Sequence, residues 1–127
     1  MIGKTYLPLT KPESFEFTAK KESEYSIWIW FDEQKAAGSN DIEKCKDSKD
    51  PWCLNILRFG LISWEIENTR EAIIKAGTIR DSFITHPYGW GLAQAHLQVG
   101  EKIIFNISSK GGAEAPIRQE IEIQVWR

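Results

Sequence analysis

The sequence predicts an all-β protein: an antiparallel two-sheet β-sandwich of seven to eight strands, with an eight-stranded barrel as the alternative closure. Three observations carry that expectation. Apolar side chains recur at every second residue in segment after segment, turn-rich breaks separate those segments, and no stretch keeps an apolar stripe of helical period. Successive side chains of a strand point to opposite faces, so a period of two with one apolar face marks a half-buried strand.

Five such segments are plain. Phe15, Phe17 and Ala19 alternate with Ser14, Glu16 and Thr18, and Tyr25, Ile27, Ile29 and Phe31 form the next apolar line. Ala93, Ala95, Leu97 and Val99 alternate with Gln94, His96 and Gln98. Ile103, Phe105 and Ile107 alternate with Lys102, Asn106 and Ser108, and Ile121, Ile123 and Val125 with Glu120, Glu122 and Gln124. β-branched and aromatic residues suit such a pleated surface. Two further strands are expected in the middle. Residues 56–67 carry Ile62, Trp64 and Ile66 on one face, and residues 71–80 form the return strand of a hairpin. Thr5 to Leu9, interrupted by Pro8, reads as an edge strand, where proline is tolerated. A short helical turn is expected around Glu33–Ala37.

The bulk numbers agree with one globular domain spanning residues 1–127. Hydrophobic residues make up 42% and charged residues 27%, which excludes a disordered chain. The net charge is −2 and both signs are mixed along the chain, so the basic patch of a nucleic-acid binder is absent. No apolar run reaches the length of a membrane-spanning helix. Cys45 and Cys53 share one polar stretch rich in Lys, Asp and Ser, and a disulfide between them would close a short loop. Two free thiols are the other reading. A disulfide belongs to an oxidising compartment, so a periplasmic or secreted protein is expected, its signal sequence removed ahead of Met1.

The segment Leu97-Gln98-Val99-Gly100-Glu101-Lys102-Ile103-Ile104-Phe105-Asn106-Ile107 resembles the corner between strands E and F of immunoglobulin-like and fibronectin-like sandwiches. The corner tyrosine and the inter-sheet cysteine pair of that pattern are missing. With its Phe-x-Phe strand followed by Tyr-x-Ile-x-Ile-x-Phe, the chain is also similar to small bacterial envelope domains. The resemblance implies an immunoglobulin-like sandwich and assigns no functional residue.

Catalytic groups are sparse. Asp81, Ser82 and His86 lie in one stretch read as a long loop and contain the ingredients of a nucleophilic triad, yet no nucleophile elbow accompanies them. Glu65/Glu67 and Glu120/Glu122 each sit side by side on one outward strand face, unlike carboxylates opposed across a glycosidase cleft. His86 and His96 lack a third ligand at defined spacing, so no metal site and no cofactor are expected. The chain reads as a non-enzyme.

Aromatic residues are the more informative feature, with six Trp among 127 residues. If Tyr25, Ile27 and Ile29 face the core, Trp28 and Trp30 face away, and Trp126 faces away from Val125. Such rings form an exposed binding face or are covered by the 33–55 excursion, with Trp52 contributing. The stretch from Asp81 through His86 and Tyr88 to Trp90 is a second expected contact loop. The function expected is a protein-binding domain, of the inhibitor or immunity type that neutralises a toxin or hydrolase. The alternatives are a carbohydrate-binding module using exposed Trp and a subunit of a larger β assembly.

Overall fold

A computed structural model of the chain describes residues 2–7, 9, 11–31, 62–68, 75–86, 89–109 and 119–127. Nine strands lie among them: β1 (Gly3–Leu7), β2 (Glu13–Thr18), β3 (Ser23–Phe31), β4 (Ile62–Asn68), β5 (Lys75–Thr78), β6 (Ile84–His86), β7 (Gly89–Leu97), β8 (Lys102–Ser109) and β9 (Gln119–Trp126). They form two antiparallel sheets, one of order β1-β9-β3-β7-β6 and one of order β2-β8-β4-β5. The architecture is the sandwich the alternation predicts, and the described strands form no closed barrel.

The core follows from that alternation. Ile27, Ile29, Ile121 and Ile123 from the first sheet meet Ile62, Ile66, Ile103 and Phe105 from the second, all fully buried. Burial in this register places the neighbouring even-numbered residues of β3 and β9 on the outer face. A one-residue slip would turn every one of these side chains around, so the buried face fixes the register.

The middle six strands keep the neighbour order of an immunoglobulin sandwich. In chain order β3 to β8 correspond to B, C, C′, D, E and F, with β3-β7-β6 matching B-E-D and β5-β4-β8 matching C′-C-F. The ends of the chain depart from it. β2 pairs with β8 on the side where strand G belongs, while β9 lies between β1 and β3.

The corner between β7 and β8 passes from one sheet to the other, as E to F does. β7 stops at Leu97, and Val99 stands exposed in the turn instead of continuing the apolar line. Gly100 supplies the turn with a φ of 85°, a conformation that disfavours any side chain. Glu101 occupies the corner where the tyrosine is missing. It is only 7% exposed; Oε1 accepts from the Gln98 amide at 2.9 Å and Oε2 from Asn68 Nδ2 at 2.8 Å. A buried carboxylate therefore pins the corner to β4, and these bonds offset its desolvation.

Candidate binding face

The outer face of the five-stranded sheet carries a contiguous aromatic cluster. Trp28 and Trp30 project from β3, and Trp126 from the end of β9. The Trp28 ring centroid lies 6.0 Å from Trp30, 5.3 Å from Trp126 and 6.0 Å from Phe83, and Trp30 and Trp126 are 5.5 Å apart. Trp28 is the buried centre. Trp126 and Phe83 are 45% exposed and Ile84 is 48% exposed, so the top of the cluster is open. The alternation predicts the outward side for all three Trp; nothing in the sequence singles out Phe83. Its backbone amide donates to Gly91 O at 2.9 Å, which extends the pairing of β6 with β7 and carries the Phe83 ring to Trp28.

Two glycines make room for these rings. Across the strand pair Trp28 stands opposite Gly91 and Trp30 opposite Gly89. A Cβ on Gly91 would come within 2.7 Å of Ile84 and 2.8 Å of the Phe83 ring, and one on Gly89 would meet Ile29 O and come within 2.9 Å of Trp30. The aromatic side chains thus lie directly over bare backbone, the arrangement in which cross-strand aromatics cover a glycine.

Polar groups bound the cluster. Trp28 Nε1 donates to Ser26 Oγ at 2.9 Å and Trp126 Nε1 to Gln124 Oε1 at 2.7 Å, so both indole dipoles are satisfied within the rim. Gln124 in turn donates to Glu122 at 2.9 Å. Beyond them Tyr6 donates to Glu120 at 3.1 Å, and Lys4 stands 3.7 Å from the same carboxylate. At the other end His96 lies 3.1 Å from Glu22 and 3.8 Å from Glu24.

The expected contact loop at residues 81–91 takes a different form. Asp81 ends a short 3-10 turn, Ile79–Asp81, where Oδ2 accepts from the Thr78 amide at 2.7 Å. The Ser82 hydroxyl donates to Ile79 O. Two of the three triad ingredients, Asp81 and Ser82, are thus taken up by one turn. His86 belongs to β6, its backbone paired with Gly89. Trp90 is not a projecting contact: it is 2% exposed and part of the core. The reason is a bulge in the pairing of β3 with β7 between Ile27 and Trp28. Ile27 pairs with Ala93 and Ile29 with Trp90, so the phase of β7 changes and Trp90 and Leu92 join the interior.

Tyr88, Trp52, Cys45, Cys53, the Glu33–Ala37 turn and residues 56–61 lie outside the described residues. Among the described residues, no helix is long and apolar enough to cross a membrane and no cluster of three or more His, Cys, Asp or Glu could hold a metal ion.

No protein-family model matches the chain, and no curated protein matches it. A crystal structure of a protein from Sulfurospirillum deleyianum is similar in fold, with a TM-score of 0.50 and 11% identity over 98% of this chain and 96% of that one. At that identity the likeness concerns the fold alone.

Proposed function

We propose that this chain is a non-enzymatic protein-binding domain of the bacterial periplasm or envelope, of the inhibitor or immunity type, and that it docks its partner on the outer face of the five-stranded sheet. The observation that carries the reading is the open aromatic cluster of Trp28, Trp30, Trp126 and Phe83, ringed by polar groups. Aromatic anchors inside a polar rim are the usual make-up of a protein-binding hot spot. The glycines beneath them supply rigidity, since rings seated on strand backbone lose little freedom on binding. Ring geometry favours a protein over a sugar. Trp28 meets Trp30 at 70° and Phe83 at 71°, whereas Trp126 lies at 31° to Trp28 and 40° to Trp30, so the cluster as a whole is an uneven surface and not one flat stacking platform.

The test is inhibition of purified secreted hydrolases (a peptidase, a muramidase, a nuclease and a lipase) by the native protein and by Trp126→Ala. The expected result is stoichiometric inhibition of one enzyme, weakened roughly 30-fold by the substitution, the equivalent of about 2 kcal/mol at a hot spot. Inhibition that Trp126→Ala leaves unchanged contradicts the proposed face. A tryptophan fluorescence shift on adding oligosaccharides, with no hydrolase inhibited, transfers the face to the carbohydrate reading.

A further inference from the structure

A second feature lies on the opposite side of β9 from the aromatic cluster. Val125 faces inward where Trp126 faces out, and it borders a cavity of about 450 Å³ at one end of the sandwich. Phe17 and Tyr25 complete an apolar floor, their rings edge-to-face at 60° with centroids 5.2 Å apart. The Tyr25 hydroxyl donates to Lys21 O at 2.6 Å, which occupies the phenol and leaves the ring as wall. Three cations stand at the mouth: Lys20, Lys21 and Arg127.

Among the described residues, no acidic side chain lines this cavity. Glu16 pairs with Lys102 at 3.4 Å, and Glu22 and Glu24 lie against His96. None of the ion pairs among the described residues involves Lys20, Lys21 or Arg127. In a chain of net charge −2, three cations with no ion-pair partner among the described residues, set over an apolar floor, are a local reversal of sign. The volume falls in the range of small-molecule sites, which combine apolar walls with a few convergent polar groups.

We propose that this cleft binds a small amphipathic anion, an organic carboxylate whose head meets Lys20, Lys21 and Arg127 and whose alkyl or aryl body lies on Phe17, Tyr25 and Val125. The charge supplies orientation and the floor supplies contact area. Such a carboxylate has two sources, a free organic acid or the C-terminus of a peptide ending in an apolar residue.

The probe is 8-anilinonaphthalene-1-sulfonate, an amphipathic anion that fluoresces when its rings leave water, with uncharged N-phenyl-1-naphthylamine as its counterpart. The native protein is expected to bind one equivalent of the anion more tightly than the neutral dye. Decanoate should displace it if the source is a free acid, and N-acetyl-Ala-Ala-Phe with a free carboxylate if the source is a peptide end. In Lys20→Gln/Lys21→Gln/Arg127→Gln, which changes only exposed side chains, the anion should bind at least about fivefold more weakly, as expected when charge-assisted contacts are lost. Trp126→Ser, which alters the aromatic face instead, should leave it unchanged. A smaller loss in the triple variant, equal affinity for both dyes, displacement by neither acid, or loss of binding in Trp126→Ser overturns the proposal. Because Trp126→Ser separates the two surfaces, failure here leaves the proposed protein-binding face standing.

Discussion

Trp90 illustrates how much a single position depends on its strand's phase. Flanked by Gly89 and Gly91, it looks like the tip of a pliable loop, yet its indole fills the interior beside Ile29 and Leu92. Replacing it by Ala leaves a large void between rigid sheets, so Trp90→Ala is expected to cost about 3–5 kcal/mol, read as a lower urea midpoint at unchanged slope. A midpoint near that of the native protein would return Trp90 to the surface. Strict alternation fails here because a bulge adds one residue to β7. The adjacent apolar pair Leu92-Ala93 is the only trace of that bulge in the sequence, and it is ambiguous without the partner strand. The outward side of Trp28, Trp30 and Trp126, by contrast, follows from Ile27, Ile29 and Val125 alone, since the extra residue of the bulge sits on β7 and the register of β3 with β9 runs unbroken.

At the scale of elements, β6 and β7 form the seat of the aromatic cluster. The two glycines of β7 differ in what opposes them. A methyl at Gly91 meets the ends of two exposed side chains, Phe83 and Ile84, which can swing aside. At Gly89 it meets the Ile29 carbonyl, which is held in the ladder. Gly89→Ala is therefore expected to lose about 1–3 kcal/mol of stability, and Gly91→Ala less than about 0.5 kcal/mol while moving Phe83 off Trp28. Paired urea titrations and the intrinsic fluorescence of Trp28 and its neighbours read the two effects. Equal losses would mean that the rings do not rest on β7 as described. The strands β2, β3, β8 and β9 were legible from period two almost to the residue. β6 was not, because a three-residue strand is too short to show a period. The 3-10 turn before it depends on Thr78 and Asp81 capping each other, a local bond that composition does not reveal.

For the molecule as a whole, the immunoglobulin-like neighbour order of β3 to β8 gives a stiff double layer, and the chain ends alter it. Threading β9 between β1 and β3 brings Trp126 beside Trp28 and Trp30, which the usual position of the last strand, next to β8, would not do. The turn at Gly100 between two strands was legible in the sequence. Neither the exchange of edge strands nor the carboxylate that replaces the corner tyrosine was, since both are settled by contacts between distant segments such as Glu101 with Asn68. The central claim is that one side of the five-stranded sheet is dry interior and the other an open aromatic face. Hydroxyl-radical footprinting with residue-level mass spectrometry tests it directly, because each aromatic ring reports its own access to water. Trp126 and Phe83 should be oxidised rapidly, with Trp64, Trp90 and Phe105 protected; oxidation of Trp90 or Phe105 as fast as that of Trp126, or protection of Trp126 and Phe83 in the isolated protein, would contradict it.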